Sequence, residues 1–177
     1  MAVEHDGMAA PKVDAPTKVL IVMSPYYAAI SAQQVAGARA AIEAAGASHE
    51  TISVPGALEI PTAIMLAARH FDAFVALGCV VRGETTHYET VCNDSSRGLA
   101  LLGLEGLCIG NGILTVENMA QAEARAEAAG QNKGGGAAEA ALHLLTIKRR
   151  FTKPAKGHIA PTSEHILMAG APDKGTA

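Results

Sequence analysis

Short unbroken apolar runs alternate with segments whose apolar residues recur at helical spacing, from residue 19 to residue 150. Val19-Leu20-Ile21-Val22-Met23 is apolar throughout and stops at Ser24-Pro25, as a strand buried on both faces does. From about Ala29 to Ala45 apolar residues fall at Ile30, Val35, Ala38 and Ile42, which predicts a helix closed by Gly46. His49 to Val54 forms a second expected strand, ended by Pro55-Gly56. Helical spacing resumes from Leu58 to Arg69, with Pro61 in the first turn, where its missing N–H is not needed. Ala73 to Val81 is the third expected strand, and His87 to about Leu102 the next helix. Leu107 to Ile113 is a fourth, glycine-interrupted strand, followed by helices from about Val116 to Ala128 and from about Asn132 to Arg150. Strands alternating with helices predict an α/β three-layer sandwich, a four-stranded parallel sheet flanked by helices on both faces. Right-handed crossovers then bring every strand's carboxyl end to one edge.

The two ends depart from this pattern. Residues 1–15 and 153–177 are rich in Pro, Gly, Ala and Lys without sustained periodicity, and are expected to be flexible tails around a domain spanning 16–152. Within the second tail, Glu164-His165-Ile166-Leu167-Met168 could make a docking turn. Of the 177 residues, 49% are hydrophobic, which suffices for one domain with a substantial core. A net charge of -3 gives no electrostatic footing for nucleic acid. No apolar run approaches the roughly 20 residues of a membrane helix, and the N-terminal stretch lacks the apolar centre of a signal peptide. A cytoplasmic protein is therefore expected, with Cys79, Cys92 and Cys108 as reduced thiols in apolar surroundings. Aromatic residues are scarce while Ala and Gly abound, which suits close packing of helices on a sheet and of subunits on one another.

Candidate chemistry gathers at the expected strand ends. The first strand leads to Ser24, Pro25, Tyr26 and Tyr27, and the second to Pro55, Gly56, Ala57, Leu58 and Glu59. The third leads to Arg82, Gly83, Glu84, Thr85, Thr86 and His87, and the fourth to Asn111, Gly112 and Thr115. Loops at the carboxyl edge of an open α/β sheet are where small molecules bind. The helix expected after His87 would add free N–H groups and the positive end of a dipole, suited to an anion such as phosphate. His87 is the titratable group in this loop able to change charge near neutral pH. The glycine-rich NKGGG follows a helix instead of a strand, the wrong context for a phosphate-cradling loop of the nucleotide-binding kind.

Four blocks carry a resemblance. VPGALEIP (Val54 to Pro61), GCVVRGETTHYETVCN (Gly78 to Asn93), GNGILTVENMAQAEARA and NKGGGAAEAAL occur in the order and spacing of the 6,7-dimethyl-8-ribityllumazine synthase family. The similarity runs from about Val19 to Phe151. It implies a flavodoxin-like sheet and the penultimate step of riboflavin biosynthesis. In that step 5-amino-6-(D-ribitylamino)uracil condenses with 3,4-dihydroxy-2-butanone 4-phosphate, releasing phosphate and water. Imine formation, phosphate expulsion and ring closure need no metal and no redox cofactor, so none is expected. They need two substrates held together, protons moved, and an anion site.

The resemblance also assigns residues. His87 matches the family's proton-transfer histidine, and Arg125, in QAEARA, its phosphate-binding arginine. Helix positions one turn from Arg125 hold Gln121, Ala122, Ala128 and Ala129, so no neighbouring acid competes for the guanidinium. Backbone N–H groups around Gly83, Glu84 and Thr85 would complete the anion site, with the Glu84 carboxylate turned away. Tyr26 stands where the family usually places a Phe or Trp against the pyrimidine, and its hydroxyl is a departure. Ala57, Leu58 and Glu59 match the segment holding the ribityl chain and ring, although Glu59 would also suit the first turn of a helix. Cys79, Val80 and Val81 match the strand end whose backbone pairs with the uracil edge. Asn111 replaces a commonly bulky apolar residue, a second departure. Lys133, in NKG, is open between a substrate contact and a role in helix start and subunit pairing. The resemblance further implies homopentamers whose sites lie between subunits, with Asn111 and Arg125 supplied by the neighbour. It extends to a 60-subunit icosahedral shell and to association with a riboflavin synthase. A flavin- or lumazine-binding or shell-forming scaffold without catalysis is the other reading.

Overall fold

The computed structural model describes residues 8–152, which hold four strands and five helices. In chain order they are β1 (Lys18–Met23), α1 (Ala28–Ala44), β2 (Ser48–Ser53), α2 (Ile60–Ala67), β3 (Ala73–Val81), α3 (His87–Leu104), β4 (Ile109–Val116), α4 (Met119–Ala126) and α5 (Lys133–Thr152). The strands form one parallel sheet in the order β2-β1-β3-β4, a flavodoxin-like arrangement within a three-layer α/β sandwich. The tail expected at 153–177, with its docking turn at Glu164–Met168, lies outside the described residues. Of the N-terminal stretch, Val13 packs against the main core and its N–H donates to the Ala45 carbonyl at 3.0 Å.

Side chains alternate across the sheet because successive strand residues point to opposite faces. Val19 and Ile21 of β1, with Ala73, Val75 and Leu77 of β3, pack against Val35, Ala38 and Ile42 of α1 and Ala138, Ala141 and Leu142 of α5. Their neighbours Leu20, Val22, Phe74 and Ala76 pack on the other face against Ile60 and Ile64 of α2 and Val91 and Leu99 of α3. A third cluster joins Ala122 and Ala126 of α4 to Ile30, Cys79, Leu114 and Val116 at the carboxyl end of the sheet. Both faces of the central strands are thus covered, which explains their unbroken apolar sequence.

Close approach of α5 to the sheet and to α1 depends on glycine. A Cβ on Gly110 would lie 1.7 Å from the Ala137 carbonyl oxygen, and one on Gly134 would lie 2.2 Å from the Gln34 carbonyl oxygen. Gln34 itself is fully buried in α1. Its Nε2 donates to the Gly78 carbonyl at 3.2 Å and the Gly112 carbonyl at 2.7 Å, tying α1 to β3 and β4 below the binding edge. Gly46 ends α1 with a positive φ of 86°, and its N–H returns to the Glu43 carbonyl at 2.9 Å.

Three boundaries differ from the sequence pattern. The helix expected from about Val116 begins at Met119, because Val116 is still paired with Val81 in β4. The segment expected as one helix from Leu58 opens as a separate 3-10 turn, Ala57–Glu59, before α2 begins at Ile60. The fourth strand runs Ile109–Val116 instead of Leu107–Ile113, paired from Phe74↔Ile109 to Val81↔Val116. Asn111, Gly112 and Thr115 therefore lie within β4 and not in a loop beyond it. Alternating burial of Gly110, Gly112, Leu114 and Val116 carries the strand past the point where glycine and asparagine suggest a break.

Candidate active site

The carboxyl ends of β1, β2 and β3 frame a cleft of about 490 Å³. It lies where strand order reverses, with β1 leading out to β2 on one side and β3 on the other. Tyr26 and Tyr27 enter from the β1 exit, Pro55 to Glu59 from the β2 exit, and Cys79 to Val81 from the end of β3. Gly83, Thr85, His87, Tyr88 and Val91 complete the wall from the following loop and the first turns of α3.

Each wall has a local physical cause. Ser24 turns the chain out of β1: its N–H donates to the Leu77 carbonyl at 2.9 Å, and its carbonyl accepts the Ser31 hydroxyl at 2.9 Å. The following Tyr26 ring is 75% exposed and meets Tyr27 edge-on, 5.1 Å between centroids, so its faces are open to a planar ligand. Tyr27 is half-buried, and burial, then proximity to Cys79, raises its phenol above the ordinary range. Glu59 ends the 3-10 turn, and its carboxylate folds back over Gly56, where an added Cβ would come within 2.9 Å of Oε2. Burial pushes the Cys79 thiol up to about 11, so it is a neutral wall atom at physiological pH.

The loop into α3 is short and open. A Cβ on Gly83 would meet no protein atom within 4 Å. The His87 N–H donates to the Thr85 hydroxyl at 3.4 Å, and the imidazole stands exposed at the first position of α3. Thr86 precedes the helix without a side-chain cap, so N–H groups of its first turn remain available to an anion.

Nine of the thirteen sequence-singled residues meet in this cleft: Tyr26, Ala57, Leu58, Glu59, Cys79, Val80, Val81, Thr85 and His87. Glu84 is exposed beside it and does not line it. Asn111 sits within β4 opposite Ala76, its Oδ1 accepting the Ile113 N–H at 3.0 Å. Arg125 is near the end of α4, half-buried, with Nη1 donating to its own helix at the Gln121 carbonyl, 3.1 Å away. Among the described residues it has no carboxylate partner. Lys133 is the exposed first residue of α5. Among the described residues, the fourth strand's exit thus contributes nothing to the cleft, and no lysine or arginine lines it. Tyr88 and Val91 were not singled out from the sequence, although Val91 follows His87 at one-turn spacing and so shares its helix face.

The 6,7-dimethyl-8-ribityllumazine synthase family model matches residues 16–149. A 6,7-dimethyl-8-ribityllumazine synthase of Jannaschia sp. (strain CCS1) is 56% identical over 151 residues, covering 84% of this chain and 85% of that protein. One from Sphingopyxis alaskensis is 56% identical over 135 residues, 75% of this chain and 96% of the relative. One from Azorhizobium caulinodans is 51% identical over 161 residues, 86% of this chain and 99% of the relative. With the match spanning the whole sheet and every wall of the cleft, the chain belongs to the 6,7-dimethyl-8-ribityllumazine synthase family.

Proposed function

We propose that the cleft is where this chain performs the family's transferase reaction, with His87 moving protons and a neighbouring subunit supplying the cation for phosphate. The chain condenses 5-amino-6-(D-ribitylamino)uracil with 3,4-dihydroxy-2-butanone 4-phosphate to 6,7-dimethyl-8-ribityllumazine in riboflavin biosynthesis. The amine attacks the ketone carbon to give a carbinolamine, which loses water to an imine. Proton loss from the sugar carbon and departure of phosphate follow, and the ribitylamino nitrogen closes the ring with loss of a second water. Each step needs a proton delivered or removed at nitrogen, carbon or oxygen, which suits the exposed imidazole of His87.

The other walls have roles that fit their chemistry. Tyr26 offers a ring face for the pyrimidine, with its hydroxyl in water. Strand-end backbone from Cys79 to Val81 pairs with the uracil edge. Ala57, Leu58 and Glu59 hold the ribityl chain, Glu59 accepting hydrogen bonds from its hydroxyls. The anion site is made by N–H groups from Gly83 through Glu84 and Thr85 together with the first turn of α3.

One observation carries the two-subunit part: the cleft takes a phosphate ester, yet no lysine or arginine among the described residues lines it. Arg125 lies on another surface of the same chain, free of carboxylates among the described residues. Asn111 and Lys133 lie outside the cleft as well, and a second copy brings all three to it. Leu66 and Leu104, 80% and 86% exposed on α2 and α3, support helix faces covered by another subunit. A pentamer closes such a heterologous contact into a ring, and pentamers can in turn build a shell able to enclose a riboflavin synthase. The setting is cytoplasmic.

Complementation tests this arrangement. His87→Ala and Arg125→Ala chains, each nearly inactive alone, are unfolded together and reassembled. Composite sites predict recovered activity at roughly a quarter of the sites, where an intact cleft meets an intact Arg125 from its neighbour. No recovery in properly assembled mixtures would place Arg125 and His87 in the same chain's site or outside it.

A further inference from the structure

Arg82 does not line the cleft, yet it is the most heavily tied side chain around it. It follows the last residue of β3 and opens the loop that leads to His87. Nε donates to Glu117 Oε2 at 2.7 Å, just past β4, and Nη1 pairs with the Glu89 carboxylate in the first turn of α3. The guanidinium lies over the Tyr88 ring, 4.1 Å from its centroid, and the Arg82 N–H donates to the Val116 carbonyl at 2.9 Å. Glu117, in turn, leads into α4 through the Asn118 cap, and its own N–H donates to Gln121 Oε1 at 3.0 Å.

These contacts have one geometric consequence. The entry of the loop, at Arg82, is fastened to its exit, at Tyr88 and Glu89. The segment between them holds Gly83, Thr85 and His87 against the cleft, and a Cβ at Gly83 would touch nothing. The loop therefore has little packing of its own, and its shape is set by its fastened ends. Side chains of Arg82, Glu89 and Glu117 are 39%, 47% and 58% exposed, so each ion pair alone contributes little to overall stability. Their joint effect is directional. A guanidinium donates to one carboxylate from Nε and to another from Nη1 while its face lies on an aromatic ring, and an ammonium has no equivalent plane.

We propose that Arg82 is a positioning residue for His87: by fastening the two ends of the loop, it sets where the imidazole stands against the bound substrates. This rests on the assignment of His87 to proton transfer. The test compares Arg82→Gln, Arg82→Lys and Glu117→Gln in the assembled enzyme, each with His87 intact and with His87→Ala, by steady-state formation of the lumazine. Arg82→Gln is expected to lower kcat by ~10- to 100-fold, the scale of a small misplacement of a reacting group, with a smaller change in either KM. In the His87→Ala background the same substitution is expected to cost less than about twofold, because the two residues act as one unit. Arg82→Lys, which keeps charge without fork or stacking face, should recover only part of the rate. Glu117→Gln should show a weaker loss with the same dependence on His87, and serves if Arg82→Gln fails to assemble. Equal fold-losses in both backgrounds, a change confined to KM for the phosphate ester, or full activity of Arg82→Gln would overturn the proposal while leaving the His87 assignment intact. Wild-type activity of His87→Ala alone would remove that assignment and the proposal with it.

Discussion

Placing a methyl group on Gly110 tests the packing that fixes β4 on α5. That methyl would sit 1.7 Å from the Ala137 carbonyl oxygen and 2.6 Å from the carbonyl carbon, whereas ordinary contact begins at 3.4 Å. Strand and helix backbones would have to part by about 1.7 Å, the difference between those distances, with no side chain available to swing aside. A gap of only ~0.5–1 Å already forfeits a quarter to a half of each dispersion contact along such a seam. The seam holds Ala137, Ala138 and Ala141 against Val75 and Leu77, so many contacts weaken together. Gly110→Ala is accordingly expected to cost about 3 kcal/mol, the upper end of the overpacking range. Gly136, on the exposed side of α5, is the control: an added Cβ meets nothing within 4 Å. There the same substitution should stabilise by about 0.5–1 kcal/mol through helix propensity. Urea unfolding followed by circular dichroism, at one fixed subunit concentration, measures both. If Gly110→Ala stays within about 0.5 kcal/mol of wild type, as a neutral surface change does, the close seam is wrong.

Two further outcomes follow from single contacts. Asn118 caps α4 by accepting the Gln121 N–H at 3.0 Å, so Asn118→Ala should cost about 1 kcal/mol in the same unfolding assay. Cys79, raised to about 11 by burial, should resist alkylation at pH 8 and gain reactivity only as pH nears that value, read by peptide mapping after iodoacetamide. Its sign for stability is fixed. Above the ordinary thiol value of 9.0 the unfolded chain releases a proton that the folded chain keeps, so this contribution is present below that pH and declines above it.

The central sheet was legible because it is buried on both faces. The apolar run from Ala73 to Val81 matches β3 residue for residue, and the polar loop after it places the start of α3 at His87. What misled was glycine. Gly110 and Gly112 weaken the strand signal of β4, yet they are there because α5 approaches too closely for a side chain. That spacing comes from tertiary packing, and local propensity cannot express it. Likewise, Gln34 sits on a helix as an ordinary polar residue, and only the fold shows its amide inside, bonded to two strands. Tyr88 and Val91 join the cleft through the first turns of α3, and chemical type alone does not distinguish them from structural residues. Family motifs named Asn111, Arg125 and Lys133 together with the cleft residues, while the single chain keeps them apart.

The most direct test of the whole account mixes the purified protein with both substrates and follows the fluorescence of the lumazine against the slow uncatalysed reaction. Wild-type protein is expected to form product far above that background. The His87→Ala/Arg125→Ala protein, assembled to the same size, should lose at least the ~10²–10⁴-fold that proton transfer typically contributes. Undiminished product formation by the double variant would contradict the site, and a wild-type rate equal to background would contradict the function.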